Sequence, residues 1–244
     1  MRHGALTFDG TAGNYASYAN TAPAGADVID LRVLASLDDW TPTSDNGVLG
    51  AVQNRCYLRI NATTGIPQMG VQRTTLITAA ATVAPTVTNG SRIWLRSHLV
   101  ISTGLCTFYT SDEIDLTGHQ AVTWSQLGDV VDTGSTVAHH ATITPIGVGQ
   151  QNTATNRPMT GKVYAGAFIF DAAVHEFDFT TLDGLVSAPT DYSDWGNWTL
   201  TGAAWAYSLP QLYPQMGSRR YRLEQAHKAE GNWYPNIGSK AWSL

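Results

Sequence analysis

Apolar residues recur at every second position along most of this chain, in short runs that end at Gly, Asn or Thr. In VIDLRVLASL, Ile29, Leu31, Val33, Ala35 and Leu37 fall on one side, and Asp30, Arg32, Leu34 and Ser36 on the other. That is the period of an extended strand, whose successive side chains point to opposite faces, and it predicts a half-buried strand with one wet side. RCYLRI alternates Cys56, Leu58 and Ile60 with Arg55, Tyr57 and Arg59, and GIPQMGVQR follows after a turn at Thr64-Gly65, the pattern of a hairpin. RIWLRSHLVI sets Ile93, Leu95, Leu99 and Ile101 against Trp94, Arg96 and His98, and joins LCTFYTSD across Ser102-Thr103-Gly104 as a second hairpin. VTWSQLGDVV and ATITPIGVG read as short strands, GKVYAGAFIFDA as a long buried one, and VHEFDF and NWTLTGAAW as the last of the series.

Roughly ten to twelve strands with no helical periodicity before residue 210 predict an all-β fold of two packed antiparallel sheets. Charged residues are only 14% of the chain against 43% hydrophobic, and lysine occurs only at 162, 228 and 240, which excludes a lysine-rich helical surface. A body of 244 residues suits one all-β domain. The strand pattern stops after Trp205, so residues 1–206 form the expected domain and 207–244 a tail. In that tail SRRYRLEQAHKAEG predicts a short helix from an N-cap Ser218 to Gly231.

Charge is divided the same way. Residues 1–218 hold 9 basic and 17 acidic residues, a net of −8, and 219–244 hold 5 and 2, a net of +3. An acidic body disfavours nucleic acid as a partner. The basic tail, with Arg219, Arg220, Arg222, Trp233, Tyr234 and Trp242, has the composition of an assembly interface for an acidic partner, a second copy of the body included, and the alternative is a solvated basic end. No run approaches the roughly 18 apolar residues of a membrane span, and MRHGALTFDG lacks the apolar segment of a secretory leader, so no membrane partner is expected. Cys56 and Cys106 alternate in phase with core residues and are expected to be buried thiols. The sequons at Asn61, Asn89 and Asn197 matter only for a secreted chain.

The order of these pieces resembles the laminin-G-like, concanavalin A-like jelly roll. The likeness covers about residues 5–206 and is carried by ALTFDGTAGNYASYAN, DLRVLASLDDWTP, RCYLRI, GSRIWLRSHLVI, CTFYTSD, VTWSQLG, TPIGVG and GKVYAGAFIFDA. Among proteins with this domain the chain looks most like the minor tail proteins of tailed phages that infect actinobacteria, in which FYTSD, a downstream TWSQLG and a closing WTLTGAA recur as here. The resemblance implies a concanavalin A-like sandwich with a short helical or extended C-terminal tail. It also implies a non-enzymatic virion structural protein, in the tail or decorating the capsid, made in the bacterial host cytoplasm. Other virion proteins, further copies of the chain and a host-surface glycan are the implied partners. The alternative is a free-standing carbohydrate-binding module or a degenerate glycosidase.

Glycosidases that share the jelly roll carry Glu-x-Asp-x-(x)-Glu on one strand, because cleavage needs two carboxyl groups at a set separation. This chain has Glu176 and Asp178, followed by Phe179, Thr180 and Thr181, so the second catalytic carboxylate is missing and no enzymatic activity is expected. Phe177 and Phe179 fall on the opposite side, which predicts a strand with one dry and one wet face. No GxSxG, HExxH or GxxxxGK[ST] motif is present. His139 and His140, being adjacent, point to opposite faces of a strand and make a poor metal pair. Related domains sometimes hold calcium through loop carboxylates. Asp38, Asp39, Asp45 and Asn46 offer the right oxygens without a recognisable spacing, so a polar turn is expected and no cofactor. For binding, the outward set Tyr57, Arg59, Trp94, Arg96 and His98 combines rings for stacking on a sugar with donors for its hydroxyls. The competing reading is that Trp94 lies beneath a loop or the tail.

Overall fold

In the computed structural model the chain is an all-β, two-sheet antiparallel sandwich of jelly-roll type. The structure describes residues 5–21, 25–51, 56–72, 76–114, 118–134, 145–150, 157–180, 198–201, 204–206, 228–229 and 232–233. No helix occurs among them. In chain order the strands are β1 (Ala5–Asp9), β2 (Tyr15–Thr21), β3 (Val28–Leu37), β4 (Asn46–Ala51), β5 (Cys56–Ile60) and β6 (Pro67–Gln72). They continue with β7 (Leu76–Ala80), β8 (Arg92–Val100), β9 (Leu105–Ser111), β10 (Ser125–Gln126), β11 (Val131–Asp132) and β12 (Pro145–Val148). Then come β13 (Thr160–Phe170), β14 (Ala173–Asp178), β15 (Trp198–Thr201), β16 (Ala204–Ala206), β17 (Lys228–Ala229) and β18 (Asn232–Trp233).

A nine-stranded sheet runs β10-β9-β8-β3-β13-β1-β16. Two strands lie off this line: β11 follows β10 along the edge of β9, and β14 pairs with the second half of β13 while β1 pairs with the first. A seven-stranded sheet runs β15-β2-β12-β4-β5-β6-β7. The hairpins expected across Thr64-Gly65 and Ser102-Thr103-Gly104 are β5–β6 and β8–β9, and Gly65 and Gly104 both take positive φ.

One core fills the space between the sheets. Leu31, Val33, Leu95, Phe108, Phe168 and Phe170 from the larger sheet meet Val48, Leu58, Ile60, Met69, Ile146 and Val148 from the smaller. The two cysteines belong to it as expected. Neither forms a disulfide and both are buried, and burial pushes the Cys106 thiol up to about 12.

Three expectations are corrected. β3 is not half-buried: Asp30, Leu34 and Ser36 on its second face are as enclosed as the core side, because that face has a cover of its own. VTWSQLGDVV is not one strand but two dipeptide strands, β10 and β11. Gly128, with φ +70°, separates them and breaks the extended run. Finally, the part of the expected 218–231 helix that is described, Lys228–Ala229, is strand paired to Asn232–Trp233. Residues 218–227 and 230–231 of that expected helix lie outside the described residues. Residues 1–208 and 209–244 form separate compact units.

β13 enters the sheet at Gly161, with φ +141° and with the backbone of Ser36 and Leu37 where a Cβ would stand. Gly161→Ala should therefore destabilise the fold by about 1–3 kcal/mol, seen as a lower midpoint in denaturant unfolding with an unchanged slope.

Candidate functional site

Charge and aromatic rings gather on the outer face of the nine-stranded sheet, where alternation along β3 and β8 places Asp30, Arg32, Arg96 and His98. Asp30 stands beside His98, and Arg32 beside Arg96, in the register of the two strands. Asp30 is only 3% exposed. Its Oδ2 accepts from Arg32 Nη2 at 2.7 Å and from Arg96 Nη2 at 2.8 Å, and its Oδ1 accepts from Arg96 Nε at 2.9 Å. Burial alone would raise the Asp30 carboxyl, but the hydrogen bonds and positive charge of Arg32 and Arg96 win and hold it below the usual carboxylate range.

The cover over this face is the segment after β9. Ile114, Val122 and Trp124 pack with Leu34, Trp94 and Tyr164 in a second apolar cluster. The Trp124 ring meets Trp94 edge-on at 5.9 Å and lies 5.9 Å from the Arg32 guanidinium and 5.6 Å from that of Arg96. Arg96 also lies over Tyr109 at 4.8 Å, so its cation is held between two rings. Arg32 Nη1 donates to the carbonyl of His119 at 3.3 Å, and Gln120 Nε2 donates to Glu176 Oε1 at 3.0 Å. His119 Nδ1 is 3.4 Å from the same carboxylate oxygen. Burial pushes the His119 pKa down, and the attraction of Glu176 offsets part of this.

Glu176 and Asp178 occupy β14 with Phe177 and Phe179 buried opposite, the dry and wet faces expected of that strand. Glu176, 53% exposed at its side chain, anchors the cover, and Asp178 accepts from the Thr180 amide at 2.8 Å in a local turn.

The five residues expected to form one saccharide face are divided between the sheets. Trp94, Arg96 and His98 lie on β8 in the nine-stranded sheet, and Tyr57 and Arg59 on β5 in the other. Trp94 is fully buried beneath Trp124, Val122 and Ile114, so the loop reading of its outward phase is the correct one. Tyr57 is also fully buried. Its ring lies across Gly70, where a Cβ would collide with it, and its hydroxyl is 3.1 Å from Thr78 Oγ1. Arg59 stacks on Tyr57, donates to Gln68 Oε1 at 2.8 Å and pairs with Asp45 at 3.1 Å. Sequence reasoning passed over Asp30, Arg32, Tyr109, His119 and Trp124 as members of the polar cluster. The Asp-x-Arg spacing of β3 was its one local signal.

The loop carboxylates are committed elsewhere. Asp45 takes Arg59, Arg157 and the Ala62 amide, and Asp39 takes the Thr41 amide, the polar turn that was expected. Among the described residues no group of three His, Cys, Asp or Glu side chains is placed to hold a metal. His139, His140, Arg219, Arg220, Arg222, Tyr234 and Trp242 lie outside the described residues, and Trp233 is described as a strand residue of β18 alone.

No protein-family model matches the sequence, and no curated protein is similar to it. Among solved structures the chain is similar to part of the full extracellular region of zebrafish Gpr126/Adgrg6, with a TM-score of 0.50 at 10% identity over 82% of this chain and 26% of that one. It is also similar to domains LG4-5 of the mouse laminin α1 chain, with a TM-score of 0.48 at 17% identity over 75% and 47% of the two chains. A third is the native heptameric SAP-like pentraxin of Limulus polyphemus, at 0.47 and 11% identity over 74% of this chain and 98% of that one. At such identities the likeness is one of fold. This chain spans less than half of the laminin fragment and about a quarter of the zebrafish region.

Trp94→Ala should cost about 3–5 kcal/mol of stability, as for a core aromatic, measured by denaturant unfolding. Asp30→Ala leaves two enclosed arginines without their anion and should cost about as much. Because the Asp30 carboxyl is depressed, its contribution is complete above the ordinary value of 3.8 and is lost as pH falls through the lower folded value. A thermal-midpoint profile should therefore drop below about pH 4 in the parent, with the part due to this residue missing in Asp30→Asn.

Proposed function

We propose that the chain is a non-enzymatic structural protein of a phage virion, a minor tail or capsid-decoration component. In this reading it is made in the host cytoplasm and enters the particle as a homo-oligomer. The observation that carries the non-enzymatic half is the state of the outer-face carboxylates. Asp30 is locked between two guanidinium groups and held ionised, the opposite of what a general acid for sugar cleavage needs. Glu176 and Asp178 are engaged in holding the cover and a turn. The virion half rests on the sequence resemblance and on the basic, aromatic composition of 207–244. A host-surface glycan, where one is bound, meets the half-buried margin of the cluster at Arg96, Tyr109 and Trp124 rather than Trp94 or Tyr57.

Three measurements test this. Purified particles, probed by mass spectrometry and by imaging with the protein labelled, should contain it at fixed copy number; its absence from particles sinks the virion reading. Incubation with cell-wall or storage polysaccharide should release no sugar, and Glu176→Gln, an exposed link to the cover, should shift stability by less than about 1 kcal/mol. Cleavage abolished by that substitution overturns the non-enzymatic reading. Deleting 207–244 should leave a folded sandwich that no longer joins the particle, whereas normal incorporation would place the assembly surface on the sandwich itself.

A further inference from the structure

We propose that β7 is a self-pairing edge through which two copies of the chain join their seven-stranded sheets into one continuous sheet about a two-fold axis. A free edge strand presents unpaired N–H and C=O groups, and proteins that stay apart blunt such edges with charge, proline, a bulge or very short strands.

The other margins of this sandwich are blunted. Along β9 the edge is broken into β10 and β11, two residues each, on either side of Gly128. The outer edge of β14 carries His175, Glu176 and Asp178, and β15 and β16 have four and three residues. β7 differs. It ends its sheet, no strand among the described residues pairs with its outer side, and its sequence LITAA has neither charge nor proline.

The surroundings of β7 favour a second copy as the occupant. No charged residue occurs between Arg73 and Arg92, and of residues 76–91 only Ala79 and Ala81 are buried. In a chain of net charge −5, this is a surface on which two like-charged bodies can meet without opposing charges. Among the described residues, four of the five exposed large aliphatic side chains belong to the same margin. Leu76 begins β7, Val83 follows it, Val130 precedes the adjoining β11, and Leu105 stands beside Asp132 of β11. The margin is tied together where the Asp129 amide donates to Thr82 Oγ1 at 2.9 Å.

The strand is also complementary to itself. In an antiparallel pairing centred on Thr78, Leu76 stands opposite the partner's Ala80 and Ile77 opposite the partner's Ala79, large against small at each step, while Thr78 meets its own symmetry mate. Tyr57 holds this edge in place: its ring crosses Gly70 and its hydroxyl meets Thr78, on three strands in register. The proposal does not depend on the virion reading and invokes no residue of 207–244.

The test is the mass of the full chain across a concentration series by analytical ultracentrifugation. The parent should be a dimer. Leu76→Lys with Ala80→Lys sets lysine against lysine twice across the axis and should weaken dimerisation roughly tenfold or more. Leu76→Lys with Ala80→Glu sets lysine against glutamate and should restore it. In the parent, hydrogen exchange at residues 76–80 should slow as concentration rises, a readout that needs no variant. A monomeric parent, an association unchanged by the lysine pair, or exchange at 76–80 independent of concentration overturns the proposal.

Discussion

A carboxylate at the middle of a sheet face is tolerable only with partners, and Asp30 sets the terms for much of this sandwich. β3 is the third strand in from the β10 end of its sheet, with β8 on one side and β13 on the other, so the Asp30 side chain has no nearby route to water. Arg32 two residues along the strand and Arg96 across the ladder neutralise it. The excess positive charge then needs its own accommodation, supplied by the faces of Trp124 and Tyr109 and the carbonyl of His119. Such a cluster is weak evidence of net stability, since apolar replacements of buried ion pairs are often at least as stable, while loss of one member leaves an unpaired charge.

The same arrangement decides what the face can do. Three groups of the cover are attached to the sheet: the His119 carbonyl to Arg32, Gln120 to Glu176, and Trp124 to Trp94 and both arginines. The cover occupies the space that a ligand lying flat on the sheet would need. In the proposed reading, an outer face spent on internal ion pairs and buried rings leaves recognition to the margins of the sandwich and to the chain beyond it. The proposed self-pairing of β7 and the proposed assembly role of residues 207–244 both belong to those places.

Local pattern carried much of the architecture. The hairpins at Thr64-Gly65 and Gly104, the core phase of Cys56, Leu58, Leu95 and Leu99, and the dry and wet faces of β14 are all readable from alternation and turn residues. These features depend on backbone geometry within a few residues, which a strand of period two and a turn with positive φ fix without distant help. The break at Gly128 was signalled by glycine as well, but a longer apolar pattern hid it.

Alternation reports which side of a strand a residue faces, and nothing in it reports which strands share a sheet or what covers the far side. Tyr57 and Trp94 have the same outward phase in the sequence, yet they lie on different sheets, one across Gly70 and the other under Trp124. Asp30 and Arg96 are 66 positions apart and meet only because β3 pairs with β8; Glu176 and Gln120 are 56 apart and meet only because the cover folds back over β14. The sequence by itself determined the all-β class, the hairpins and the core-facing residues, because those follow from short-range backbone chemistry. Tertiary structure alone decided that the face carrying Trp94 is covered and that β7 ends its sheet among the described residues, because both depend on long-range strand order and on a covering segment whose partners lie far along the chain.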